Sequence, residues 1–337
     1  MRGLSQYGID VIQCYCNRYL GLRKYFDIIR QFLNIRRNVD VFIVGFPGYQ
    51  VVILLRFLTS KPIIFDAFTS LYLSTVIDRK KTRPFTIKAV YYWLLDYFSC
   101  KLSNVVLLDT EAQISYFLNS FNLRREKFLK VFVGAEEPSY YLQEVNRTKK
   151  DGPFLVHFHG FFIPLHGIQY ILEAAKLLEN EEIQFNIIGS GQTFPDMKKH
   201  SQWLRNKNVT FVPPLEYKIL LSYILSSDIC LGIFGGTKKS DLVIPNKVFE
   251  AISLQRPVVT GNSSAIREIF EGGKNIFLVE MANPKALAEA ILKLKSNQTL
   301  YFEMARNGYR LFEEKFKPRI IVKDLATCIF NEINPHF

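Results

Sequence analysis

"GPFLVHFHGFFIPLHGIQYILEAAKLLENEEIQFNIIGSGQTF", residues 152–194, decides the fold. It holds two apolar runs, "GPFLVHFHG" and "FNIIGSG", with the helical pattern "GIQYILEAAKLLEN" between them. Strands that are apolar throughout, not alternately, belong to parallel sheets, because the crossover between parallel neighbours covers the sheet face. The same alternation continues in both directions. Upstream, strands are expected at "DVIQCY" (10–15), "DVFIVGF" (40–46), "PIIFDAF" (62–68), "NVVLLDT" (104–110) and "FLKVFVG" (128–134). Downstream they are expected at "VTFVPP", "ICLGIF", "PVVTG" and "NIFLVE", with a further helix at "PKALAEAILKLKSN". The polar stretch "EVNRTKKDGP" (144–153) reads as a linker. The expectation is an α/β fold of two Rossmann-like domains, residues 1–143 and 151–316, with parallel sheets facing across a cleft that is the default ligand site.

Composition agrees with a globular chain of this kind. The 337 residues are 48% hydrophobic and 22% charged, which leaves no case for disorder. Five cysteines (Cys14, Cys16, Cys100, Cys230, Cys328) are odd in number and sit mostly in apolar runs, as reduced cytosolic thiols do. Residues 1–20 lack the pattern of a signal peptide. The most apolar stretch, "VFIVGFPGYQVVILLRFL", is interrupted by Gly45, Pro47, Gly48, Gln50 and Arg56, so no membrane span is expected.

The net charge of +12 favours anionic partners: phosphates, nucleic acid or an acidic bilayer face. It is densest in "DRKKTRPFTIKAVYYWLLDYF", where Arg79, Lys80, Lys81 and Arg83 precede a helix rich in aromatics. That segment reads either as a foot on anionic lipid or as a core helix behind a solvated basic loop. The opening "MRGLSQYGIDVIQCY" reads as the end of a helix, a capping Gly8 and a strand. A doubly wound domain starts instead with a central strand and loop, roughly 25–35 residues of βαβ unit, which are not in the sequence. A misassigned start, a fragment or an incomplete domain would each account for this.

Three motifs carry candidate chemistry. Gly189, Ser190 and Gly191 follow a buried strand, where glycines let the backbone turn sharply and offer N–H groups to a phosphate or sugar; a plain tight turn is the alternative. "LVHFHGFFIPLHG" places His157 and His159 on one strand face. Such a pair could hold zinc, but no cysteine or carboxylate adjoins it in sequence, and packed histidines explain the pattern as well. In "IPNKVFEAISLQRPVVTG" a helix is expected to begin at Pro245–Asn246, with Lys247 in its first turn and Glu250 three positions on. A lysine at the positive end of a helix suits a diphosphate, and the carboxylate could accept the two hydroxyls of a ribose. The alternative is a surface Lys–Glu pair.

The order of these pieces resembles family-4 retaining glycosyltransferases of the GT-B fold, through "HG…FIPLHG", "IIGSGQ", "DICLGIFG" and "VIPNKVFEAI". The likeness reaches the first half through "VFIVGFPG", "KPIIFDAFTSLY" and "VVLLDTEAQISYF". It implies that the last helix, about 317–337, returns to the first domain. It also implies transfer of a hexose from a nucleotide-diphosphate sugar to a glycan or lipid-linked acceptor, with retention at the anomeric carbon.

By the same resemblance Glu250 matches the second of the family's paired glutamates and holds the ribose; the first falls at Leu242 and is missing. The positions that usually carry Arg and Lys on the diphosphate are Phe161 and His166. More of that charge then rests on Lys247, with Lys238 and Lys239 close by. Gly160, Gly189, Ser190, Gly191, Gly235 and Asn246 complete the donor-binding set, and Pro214 borders the base. Asp66 stands nearest the place of the family's first-domain histidine, so Lys247, Glu250 and Asp66 are the catalytic candidates. No metal or other cofactor is implied beyond the donor. The expected partners are the donor, the acceptor and an anionic membrane surface, in the cytoplasm or on the inner face of the membrane. Nucleic acid is not among them, since charge alone suggests it and no recognition motif accompanies the charge. A non-catalytic, nucleotide-binding relative is the alternative reading, favoured by Leu242, Phe161 and the missing first strand.

Overall fold

The computed structural model describes residues 2–16, 21–137 and 152–333. They fall into two compact units, each built around its own parallel sheet. The first takes the described parts of Met1–Val76, Thr82–Phe132 and Pro318–Phe337; the second takes those of Ile77–Lys81 and Val133–Lys317. The short excursion Ile77–Lys81 is not visible in the sequence pattern. Most of the linker expected at 144–153 lies outside the described residues.

The first unit contains, in order, α1 (Arg2–Ser5), α2 (Leu22–Ile35), β1 (Phe42–Val44), α3 (Tyr49–Leu58), β2 (Ile63–Asp66), α4 (Ile87–Leu102), β3 (Val105–Leu108), α5 (Glu111–Phe121) and β4 (Phe128–Lys130). Its strands lie in sequential order, β1 to β4, all parallel. Both faces are covered. Ile63, Phe65, Val106 and Leu108 join the core with Val52 and Phe117, whereas Ile64, Val105 and Leu107 face Leu4 on the opposite side. Consecutive strand residues point to opposite faces, so burial of both gives the unbroken apolar runs seen in the sequence.

One expected strand is absent. Residues 10–16 pair with no neighbour, and Val11, Ile12 and Tyr15 are exposed. An apolar run can fit a strand, but only an adjacent strand supplies the ladder of hydrogen bonds. Gly8 does cap the preceding helix: its φ is 75°, and Ile9 N–H donates to the Leu4 carbonyl at 3.3 Å.

The second unit contains β5 (Phe154–His159), α6 (Ile168–Leu177), β6 (Ile183–Ile188), α7 (Phe194–Leu204), β7 (Val209–Val212), α8 (Tyr217–Ser226), β8 (Ile229–Leu231), α9 (Lys238–Leu242), α10 (Asn246–Ser253), β9 (Val258–Gly261), β10 (Phe277–Val279), α11 (Pro284–Ser296) and α12 (Gln298–Lys315). Its parallel sheet has the order β10-β9-β8-β5-β6-β7. The chain therefore winds outward from β5 one way through β6 and β7, and the other way from β8. Between β5 and β8 the connections diverge, which makes their carboxyl ends the crevice where open α/β sheets bind ligands. Phe158, Phe185, Ile187, Leu231 and Val259 form the centre of the core, beneath Ile171 and Leu172 of α6 and Leu287 and Ile291 of α11.

After α12 come α13 (Pro318–Ile321) and α14 (Lys323–Ile333), which belong to the first unit. Leu325, Ala326 and Ile329 pack against Ile64, Val105 and Leu107.

Helix α4 is apolar on two sides. Ala89, Leu95, Ser99 and Cys100 are buried, while Ile87, Val90, Tyr91, Leu94 and Phe98 face solvent at helical spacing. Its Asp96, fully buried, accepts from Ser70 Oγ (2.6 Å), Leu71 N–H (2.8 Å) and Tyr72 N–H (2.9 Å). These bonds pin the loop that follows Asp66 of β2. Burial pushes the Asp96 carboxyl up to about 7, although the three donors pull it down. Removing a buried acceptor strands every donor aimed at it. Asp96→Ala is accordingly expected to cost on the order of 3 kcal/mol, read as a lower urea midpoint with unchanged slope.

Candidate functional site

Three turns and one helix start meet at the carboxyl edge of the second sheet: the turns after β5, β6 and β8, and the first turn of α10. Backbone contacts between them are close. A Cβ built on Gly189 (φ 139°) would lie 2.0 Å from the Gly160 carbonyl oxygen, and one on Gly160 (φ 144°) would lie 2.9 Å from Lys247 Nζ. The backbone angle favours glycine at both positions, and at Gly189 the carbonyl leaves no room for a side chain. The N–H groups of Phe161, Ser190 and Gly191 have no backbone partner among the described residues. They are the kind of donors that bind a phosphate oxygen.

Helix α10 begins at Asn246, with Pro245 as its cap (φ −74°, ψ 144°), one position later than a first-turn proline would require. This leaves Asn246 exposed and turns Lys247 inward. Lys247 is only 6% exposed, its Nζ has no hydrogen-bond partner among the described residues, and it lies 3.9 Å from the centre of the Phe158 ring. Burial drives its pKa well below the ordinary lysine value, with Glu250 pulling weakly the other way. The alternative of a surface Lys–Glu pair is thus excluded. Glu250 instead engages His159 Nε2 through Oε2 at 2.8 Å, and His159 Nδ1 meets His157 Nε2 at 2.8 Å.

The other candidates are distributed as follows. His166 is buried, its Nδ1 donates to the Phe161 carbonyl, and burial together with Lys247 pushes its pKa well down. A neutral imidazole there cannot replace the cation it stands for in the family pattern. The Phe161 side chain is 68% exposed and apolar, so the turn contributes backbone, not charge. Ser190 and Pro214 are exposed on the turns after β6 and β7. Gly235 is buried, and its N–H donates to the Leu165 carbonyl at 3.1 Å, tying the β8 turn to the β5 turn. Lys238 is exposed and Lys239 buried, both on α9. Leu242 closes that helix. Asp66 belongs to the first unit, where burial raises its carboxyl to about 6.

Sequence reasoning missed two arrangements. Thr237 caps α9 and donates to Asp78 at 2.8 Å, which fixes the start of the helix that carries both lysines. The histidines of β5 were read apart from α10, and only the fold brings them to Glu250. The period-2 spacing of His157 and His159 was the available signal. Among the described residues, no group of three or more His, Cys, Asp or Glu is arranged to hold a metal ion.

The two parallel sheets, one with its order reversing between β5 and β8, set the fold that comparison with known proteins can test. Residues 153–297, within the second unit, match the family model described as glycosyl transferases group 1. The chain is 23% identical over 188 residues to the capsular polysaccharide biosynthesis glycosyltransferase CapM of Staphylococcus aureus, covering 55% of this chain and 48% of that one. The chain thus spans about half the length of the curated relatives it matches. In fold it is similar to Anabaena HepE in complex with UDP and glucose, with a TM-score of 0.71, 14% identity, and coverage of 97% of this chain and 88% of that one. It is also similar to a mutant of S. aureus TarM in complex with fondaparinux, alpha-GlcNAc-glycerol and UDP, with a TM-score of 0.65, 18% identity, and coverage of 92% and 59%. The fold is GT-B.

The burial of Lys247 sets a pH signature. An unfolded lysine titrates near 10.4, and the native one titrates lower. Between those values the unfolded chain holds a proton that the native chain does not, so stability rises with pH across that window. Lys247→Met fills similar space without the amine. It is expected to raise the melting temperature of the ligand-free protein at neutral pH and to flatten its rise toward pH 10. A lowered melting temperature at neutral pH would show instead that the fold stabilises the amine.

Proposed function

We propose that this chain is a retaining glycosyltransferase. It moves a hexose from a nucleotide-diphosphate sugar to a glycan or lipid-linked acceptor in the synthesis of a cell-surface polysaccharide or glycolipid. The observation that carries this reading is Lys247: a buried amine with no hydrogen-bond partner among the described residues, beside N–H groups that have no backbone partner among them, at the crevice of the second sheet. A buried amine without a partner is costly by itself and well placed for an anion, because a charge pair formed out of water is strong. The diphosphate is that anion. Glu250, on the same helix face, holds the ribose; Lys238 and Lys239 add positive potential, and the Pro214 turn borders the base.

The chemistry is mainly electrostatic. The bond from the anomeric carbon to the diphosphate oxygen breaks, and negative charge grows on the leaving group, opposed by Lys247 and the N–H donors. The acceptor hydroxyl attacks from the side the diphosphate leaves. Its oxygen bonds to the anomeric carbon, and its proton passes to a phosphate oxygen. Neither a nucleophilic carboxylate nor a bound metal is required in this scheme.

A membrane-presented acceptor suits the outward face of α4. Ile87 is 92% exposed and Phe85, just before the helix, 97%; Val90, Tyr91, Leu94 and Phe98 extend the stripe, and Arg83 and Lys88 flank it. An apolar stripe bordered by cations matches an anionic bilayer surface, in the cytoplasm-facing leaflet. No helix among the described residues is long and apolar enough to cross a membrane. The protein is expected to sediment with vesicles containing phosphatidylglycerol and not with pure phosphatidylcholine, and Ile87→Glu with Leu94→Glu to abolish this. Equal sedimentation of the variant would remove α4 from the reading.

The donor site is tested by thermal melts with UDP, GDP, ADP and dTDP. A ligand at one hundred times its Kd adds about 2.7 kcal/mol. One nucleoside diphosphate is expected to raise the melting temperature by a few degrees, an effect lost in Glu250→Ala. No rise with any of them would overturn the donor-site reading. Binding without transfer from the matching nucleotide sugar would favour the non-catalytic relative, to which the missing glutamate at Leu242 already points.

A further inference from the structure

The histidine pair of β5 has a direction. Glu250 Oε2, His159 and His157 form a chain of two hydrogen bonds, each 2.8 Å long, that runs from the crevice into the core. It ends at His157 Nδ1, which is buried and has no partner among the described residues. Two proton arrangements fit these contacts. In one, Glu250 is ionised, His159 donates from Nε2 and accepts at Nδ1, and His157 donates from Nε2. The orphan His157 Nδ1 is then a bare lone pair. In the other, Glu250 is protonated and every bond reverses, so the chain ends on a buried N–H with nothing to receive it. An unpaired buried donor is the rarer and more costly of the two. The first arrangement is therefore favoured, with both imidazoles neutral and protonated on Nε2.

Resting on the reading of Glu250 as the ribose ligand, we propose that His159 is a positioning residue for the nucleotide. It donates to Oε2 of Glu250, is held in that tautomer by His157, and so leaves Oε1 aimed for the hydroxyls of the ribose. Oε1 makes no hydrogen bond to the described residues, as this role requires. The surroundings keep the chain from taking up a second proton. Lys247 faces it from α10, Cys230 from β8 and His166 from the turn after β5. Burial and Lys247 depress the pKa of His157 and of His159, against the pull of Glu250 on the latter. A carboxylate that did not receive this bond would be free to rotate toward Lys247, three positions away on the same helix face. His157 and His159 thus serve one end, which is to keep the carboxylate on the ribose and the amine on the diphosphate.

The test is calorimetric titration with the nucleoside diphosphate that stabilises the wild type, on Glu250→Ala, His159→Ala, His159→Gln and the double variant His159→Ala with Glu250→Ala. Each is first shown to be folded by its melting curve. His159→Ala is expected to lose roughly tenfold in affinity. His159→Gln, whose amide can donate from nearly the same place, should recover most of it. The double variant should bind no more weakly than Glu250→Ala alone, because the histidine acts through the carboxylate. Nitrogen-15 spectra should show both imidazoles neutral, protonated on Nε2 and unchanged between pH 6 and 8. Unaltered affinity in Glu250→Ala would overturn the ribose reading itself. Loss in Glu250→Ala with none in His159→Ala, no recovery with glutamine, multiplying losses in the double variant, or an Nδ1–H tautomer at His159 would each overturn the positioning role while leaving that reading intact.

Discussion

A parallel sheet wound outward in both directions from one strand has to part its loops where the direction changes, and the second unit is organised around that gap. Because β5 and β8 are neighbours whose connections leave in opposite senses, their carboxyl ends are not covered by a crossover. Everything of chemical interest is gathered there: the glycine turns after β5 and β6, the turn after β8, and α10 with its lysine. The turns press together so closely that Gly189 has no room for a side chain, and Gly160 holds a φ of 144° that other residues rarely adopt. Gly189 is a packing requirement first, and it is this packing that leaves N–H groups facing outward.

Within the gap, two charges are separated by design of the backbone. Lys247 and Glu250 stand three residues apart on one helix, a spacing that on a surface would join them. Here the amine rests on the Phe158 ring while the carboxylate is drawn to His159. Each is left able to meet a different part of a ligand. Lys247 Nζ is left without a hydrogen-bond partner among the described residues, and charged groups perturbed in this way cluster at functional sites.

Much of this was legible in the sequence because it is periodic or local. Continuous apolar runs announced ten of the strands, and the strand–glycine–helix order placed Gly160, Gly189 and Lys247 on one edge. What could not be read was set by contacts distant in sequence. The run at residues 10–15 has strand composition, yet whether it forms a strand depends on a neighbour, not on its own residues. The partner of Glu250 lies 91 positions away. The alternative of a surface Lys247–Glu250 pair stays open in the sequence because nothing in that segment reveals the Phe158 ring beneath the lysine. The basic helix offered two readings, and the structure divides them by face, the core holding one side of α4 and solvent the other.

The first unit is not continuous along the chain. Its four described strands end with β4, but one face of that sheet is closed by Leu325, Ala326 and Ile329 of α14, which follow the second unit. During synthesis on a ribosome, Ile64, Val105 and Leu107 therefore emerge early and stay partly uncovered until nearly the whole described chain has been made. The usual order, in which the amino-terminal domain matures first, is inverted: the second unit can close its core while the first still waits for its final helix.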